Sequence, residues 1–257
     1  MQHGVIGLKN VEIAYKKGNA GECNLFIVSS KQEENIIETH YGYSPKEIAV
    51  TGLARWDALT DKCAENREIL VMATWRSWLD GATPKDFKNS AYYKQYQALL
   101  TSEKLHTLLK KYDVKMRFYI HSKFKDYIQE FVSTKTDRIM LQTFGEKPLN
   151  QLIMESNMLL TDYSSVSWDM FWQGKPVVFF QFDLPDYLEA HGSYMDMKRD
   201  LFGPRAENTE ELLPILEQYM QNDFKLSPEY AAMLSDSFAY RDHENCRRIA
   251  AAVKEMV

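Results

Sequence analysis

Between Met158 and Gln181 the chain runs MLLTDYSSVSWDMFWQGKPVVFFQ, and this stretch leaves little freedom of fold. Two short apolar runs, MLL and VVFF, bracket a hydroxyl-rich turn, a helical stretch and a Gly-Lys-Pro break. Strands that read as unbroken apolar runs are buried on both faces, as in a parallel sheet covered by helices. Thr161, Asp162, Tyr163, Ser164, Ser165 and Ser167 crowd polar groups into the turn and the first turn of the helix. A helix start presents unpaired N–H groups and the positive end of the dipole, so small hydroxyls there read as an anion site, most often for phosphate. The plainer alternative is that Asp162 or Ser164 only caps the helix.

The same strand–turn–helix grammar recurs along the chain. Leu25–Val28 leads through Ser29-Ser30 into a helix over Lys31–Tyr41, and Glu47–Val50 rises into TGLARWD. Ile69–Ala73 reads as a buried strand ending at Thr74-Trp75-Arg76. A loop is expected over Asp80–Ala91, and apolar spacing predicts one helix over Tyr93–Lys111. Val114–Ile120 is a strand ending at His121-Ser122, and Arg138–Gln142 is a short strand. Helices are expected over Ala58–Asn66, Phe124–Val132, Pro148–Ser156, Pro228–Ser235 and His243–Met256, and one more begins near Thr209. Alternation of this kind predicts an α/β fold, a Rossmann-like parallel sheet with helices on both faces.

Composition narrows the function classes. A net charge of −5 over 257 residues argues against broad nucleic-acid binding. Cys23, Cys63 and Cys246 are scattered, with no CxxC pair, which points to a reducing compartment and to neither a disulfide framework nor a zinc site. The six histidines have no mutual metal-ligand spacing, so no metal site is expected. No apolar run is long enough to span a membrane and no secretion signal opens the chain, so a cytoplasmic protein is expected. Glycine-rich dinucleotide and P-loop sequences and a G-x-S-x-G elbow are missing, which disfavours ordinary NAD binding, P-loop hydrolysis and a serine nucleophile.

The polar groups that remain sort by strand end. Thr74 and Arg76, His121, and Thr161 to Ser167 all follow strands at their carboxyl ends, the rim where open α/β sheets bind ligands. Arg76 suits a phosphate because its fork bonds two oxygens; packing on the neighbouring tryptophans is the alternative. Asp169 lies one helical turn beyond Ser165 and could accept from ribose hydroxyls or pair with Lys175 or another cation.

Read together, these segments resemble the C-terminal part of the CDP-glycerol glycerophosphotransferases, the teichoic-acid and capsule polymerases. LLTDYSSVSWDMFWQGKPVVFFQFD is similar to that family's L-T-D-Y-S-S…D…GKP…FD run. VTGLARWDAL looks like its T-G-x-x-R-x-D-x-L, ILVMATWR like its strand ending in T-W-R, and QHGVIGLK like its H-G-x-x-x-K. FYIHSK, DLFGP and FAYRDHENCRR follow in the family's order, with Ser122 where the family has proline.

The resemblance implies a GT-B architecture, with residues 1–66 as the remnant of an N-terminal Rossmann-like domain plus linker and 67–257 as the C-terminal nucleotide-binding domain. It implies transfer of glycerol phosphate from CDP-glycerol to a growing polymer with release of CMP, without a required metal or other cofactor. His3 would be the general base for the acceptor hydroxyl and His121 a donor-phosphate stabiliser or acid. Thr161, Ser164 and Ser165 would hold the pyrophosphate beside Arg76, with Thr74 and Asp162 on the same rim, and Asp169 would take the ribose. The implied partners are a CDP-alcohol donor and a polyol-phosphate or glycan acceptor, lipid-linked in the family, which would bring the chain to the inner face of the membrane. A missing N-terminal domain or companion chain is a further implied partner. A CDP-binding module without catalysis and a transferase using CDP-ribitol or another activated donor are the alternatives.

Overall fold

A computed structural model describes residues 4–63, 66–131, 137–142 and 145–256. Eight strands form two sheets: β1 (Phe26–Val28), β2 (Ile48–Val50), β3 (Glu68–Met72), β4 (Lys115–Tyr119), β5 (Ile139–Gln142), β6 (Met158–Thr161), β7 (Val177–Phe180) and β8 (Arg205–Ala206). β1 and β2 pair with each other, in parallel. The other six form one sheet in the order β5-β4-β3-β6-β7-β8, every pair parallel. Counted from β3, that is the doubly wound order 3-2-1-4-5-6, and its direction of winding reverses between β3 and β6. The expected parallel α/β sheet with helices on both faces is what forms.

Side-chain alternation builds a core on each face. Ile69 and Val71 of β3, Phe118 of β4, Leu160 of β6 and Phe180 of β7 point to the face covered by helices Ala91–Leu100, Glu103–Lys111 and Thr209–Gln221. Leu70, Leu159 and Phe179 point to the other face, under helices Leu149–Glu155 and Val166–Trp172. The small β1–β2 sheet has its own apolar cluster, including Phe26, Val28, Ile37, Tyr41 and Ile48.

Two expected helices and one expected loop come out differently. The single helix over Tyr93–Lys111 is two, because the Ser102 hydroxyl accepts from Leu105 N–H at 3.2 Å and starts a new helix. The expected loop Asp80–Ala91 contains helix Pro84–Asn89, capped by Thr83 with proline in its first turn. The helix expected over Ala58–Asn66 is a 3₁₀ turn at Ala54–Ala58 followed by irregular chain over 59–63. There the Lys62 N–H, which a continuing helix would use, donates instead to the distant Met154 O at 3.0 Å.

The C-terminal helix Asn245–Lys254 returns to this irregular segment. Asp57 accepts from the backbone N–H groups of Asn245 (2.9 Å) and Cys246 (2.7 Å), so it satisfies that helix's first donors from outside. Arg248 donates to Thr51 O at 2.9 Å. Gly52 sits at φ +80°, where a Cβ would stand 2.0 Å from the Asn245 side chain, so this contact admits only glycine.

Candidate active site at the reversal point of the sheet

The winding reverses between β3 and β6, and a cleft of about 600 Å³ opens above their carboxyl ends. One wall is the chain segment 4–11, and the other is built from Thr74, His121 and the turn Tyr163–Val166.

The segment 4–11 is held on both sides. Glu33, buried, accepts from Ile6 N–H at 2.8 Å and from Ser29 N–H at 2.6 Å. Burial raises the Glu33 pKa. From the other direction Tyr194 N–H and the Ser193 hydroxyl donate to Gly7 O at 3.0 and 3.2 Å, and Asn10 N–H donates to Gly192 O at 3.3 Å. Gly4 then passes so close to the hydroxyl turn that a Cβ on it would lie 2.5 Å from Ser165 Oγ. His3, the expected general base, lies outside the described residues.

Among the other expected residues, four face the cleft. Thr74 lines it, and its buried hydroxyl has no hydrogen-bond partner among the described residues. Ser164 Oγ accepts from Val166 N–H at 3.3 Å, and Ser165 Oγ makes no hydrogen bond among the described residues. His121 Nδ1 accepts from Lys123 N–H at 3.2 Å, which puts the proton of the neutral ring on Nε2. Burial, and then the charge of Lys123, hold the His121 pKa below its ordinary value, so the ring is neutral at pH 7.

The other four are frame, not lining. Arg76, expected on a phosphate, is fully buried and already occupied. It donates to both Asp183 oxygens at 2.7 and 3.0 Å, pairs with Asp162 at 2.8 Å and donates to Thr74 O at 2.7 Å. Burial alone would lower its pKa, but the two carboxylates outweigh that and raise it. Asp162, with no exposed surface, also accepts from Thr74 N–H (2.9 Å), Tyr163 N–H (2.6 Å) and the Tyr96 hydroxyl (3.2 Å). It thus ties the end of β3 to the end of β6 across the reversal point. The Thr161 hydroxyl turns inward and donates to Met72 O at 2.6 Å. Asp169, expected on a ribose, pairs with Arg55 at 2.7 Å and accepts from Trp56 Nε1 at 2.6 Å. Lys175, its alternative partner, instead donates to Ile153 O and Met154 O.

Sequence reasoning missed one lining residue of consequence. Lys9 reaches the cleft half-buried and makes no ion pair or hydrogen bond among the described residues. Burial lowers its pKa. The available signal was the lysine that ends the segment QHGVIGLK. With Lys9 and His121 present and no carboxylate among its described lining residues, the cleft favours an anion. Among the described residues no three His, Cys, Asp or Glu side chains converge as metal ligands, and no helix is long and apolar enough to cross a membrane.

Comparison with known proteins places the chain among teichoic acid enzymes by similarity. The minor teichoic acid biosynthesis protein GgaB of Bacillus subtilis is 30% identical over 268 residues, an alignment that takes in 100% of this chain and 29% of GgaB. The teichoic acid poly(glycerol phosphate) polymerase of Bacillus subtilis is 33% identical over 93 residues, covering 36% of this chain and 12% of that protein. A solved variant of the wall teichoic acid polymerase TagF superposes with a TM-score of 0.72 at 17% identity, over 99% of this chain and 67% of that one. This chain therefore spans less than a third of GgaB. The family model for CDP-glycerol:poly(glycerophosphate) glycerophosphotransferases matches residues 2–255, and the chain belongs to that family.

Proposed function

We propose that this chain binds a CDP-alcohol, CDP-glycerol first, in the cleft at the reversal point, and transfers glycerol phosphate to a teichoic-acid-like polymer with release of CMP. The observation that carries the reading is the cleft's lining, which combines hydroxyls, an imidazole and an ammonium without a carboxylate among its described residues. Such a surface is complementary to a pyrophosphate. Thr74, Ser164 and Ser165 would hydrogen-bond the phosphate oxygens, and His121 would donate from Nε2. Arg76, Asp162, Thr161 and Asp169 act one layer back, fixing the loops that carry those groups.

In the reaction an acceptor hydroxyl attacks the β-phosphorus. Its oxygen forms the new P–O bond, the bond to the bridging oxygen breaks, and CMP leaves with that electron pair. The hydroxyl proton passes to a base, the role assigned to His3. Hydrogen bonds from His121 and the rim hydroxyls stabilise the charge that builds on the phosphates. Neither a metal nor another cofactor is assigned a role. The acceptor polymer, lipid-linked in this reading, would bring the chain to the inner face of the membrane.

The test is CMP release from CDP-glycerol in the presence of a poly(glycerol phosphate) primer. His121→Ala is expected to lower turnover by roughly 10²–10⁴-fold, the range for a positioned proton donor. Unchanged turnover would remove His121 from the mechanism. Calorimetry with CDP, run beside it, separates the readings: tight binding with no CMP formed identifies a binding module, and CDP-ribitol turned over faster than CDP-glycerol reassigns the donor.

A further inference from the structure

We infer that Lys9 is the principal phosphate-binding cation of this cleft, so that the anion site is completed only when the segment 4–11 is clamped against the sheet. The inference rests on the reading of the cleft as a nucleotide diphosphate site and adds to it a ligand from the opposite wall.

Lys9 is half-buried, and no carboxylate or carbonyl among the described residues meets its ammonium. The other two basic side chains expected to serve phosphates are spent or weaker. Arg76 is saturated by Asp162 and Asp183, and His121 is neutral at pH 7. A cation left without a counter-ion in a partly desolvated cleft loses hydration and gains nothing until an anion arrives. The Thr74 hydroxyl, buried and unpartnered in the same cleft, is a second polar group that the protein itself does not satisfy. Both are strong ligands for one diphosphate between them. The backbone under Lys9 is fixed by Glu33 on Ile6 and by the 192–194 loop on Gly7 and Asn10, so little ordering remains to oppose binding.

Calorimetry of CDP and cytidine with the wild type, Lys9→Met, Lys9→Arg and Ser165→Ala tests this. Lys9→Met is expected to weaken CDP by about 10- to 100-fold, the loss of one charge-assisted contact, and to leave cytidine unchanged. Lys9→Arg should recover most of the CDP affinity. Thermal unfolding of Lys9→Met without ligand should occur at an equal or higher temperature, since an unpaired ammonium has been removed. Wild-type CDP affinity in Lys9→Met, with weakened binding in Ser165→Ala, overturns the role of Lys9 and leaves the cleft assignment standing. Unchanged affinity in both variants, or no CDP binding by the wild type, overturns both.

Discussion

Thr74 shows how a ligand site announces itself at the scale of one residue. Its N–H is taken by Asp162 and its carbonyl by Arg76, while its hydroxyl is buried with no partner among the described residues. A protein interior rarely leaves such a group unsatisfied without a reason. Thr74→Val keeps the shape and removes the orphan, so it should leave stability within about 1 kcal/mol of the wild type or raise it, by urea unfolding. The same variant should bind CDP more weakly, and unchanged binding would show that the hydroxyl serves no ligand. Arg76, two residues on, makes the opposite point. Its sequence context suited a phosphate, yet Asp183, 107 positions away, claims the fork. Nothing local to Thr74-Trp75-Arg76 reveals that partner, and for the same reason the Asp169–Arg55 pair, 114 positions apart, could not be read from spacing.

At the scale of elements, the strands were legible and several of the joints were not. Unbroken apolar runs marked β3, β6 and β7, because strands buried on both faces need nothing else. β8 is two residues, Arg205–Ala206, paired to Phe179 and Phe180, too short to show a pattern of its own. The helix break at Ser102 was written as a cap within an otherwise continuous apolar period, and the cap prevailed. The expected rim residues do follow β3, β4 and β6 at their carboxyl ends, but which of them face the cleft and which satisfy one another depends on loop packing. Asp162, Arg76 and Asp183 join the ends of β3 and β6 to the start of helix Leu184–His191. Arg76→Met strips the counter-ion from two buried carboxylates and is expected to cost roughly 3–5 kcal/mol of unfolding free energy, measured in urea. A loss below about 1 kcal/mol would mean that the hub is not what holds these loops together.

For the whole molecule, charge and connectivity matter more than composition. A net charge of −5 gives no hint of a cleft whose described lining carries two basic side chains and no acidic one. The distribution, and not the sum, sets the ligand. The C-terminal helix folds back on Asp57, Thr51 and Gly52, the segment that follows β2. Gly52→Ala forces a side chain into a φ of +80° and into Asn245, at an expected cost of roughly 1–3 kcal/mol. Hydrogen exchange should then quicken first in Asn245–Lys254, while uniform quickening across the chain would deny that this helix is a separate latch. The clamp on the segment 4–11 has a kinetic consequence. The contact of Gly7 with Ser193 spans 186 positions, so one wall of the cleft is anchored across one of the longest loop closures in the fold. Such closures are late and slow in folding, because chain entropy is surrendered before the contact repays it. Nucleotide affinity should accordingly be the last property to return on refolding, after the sheet and its two cores have formed.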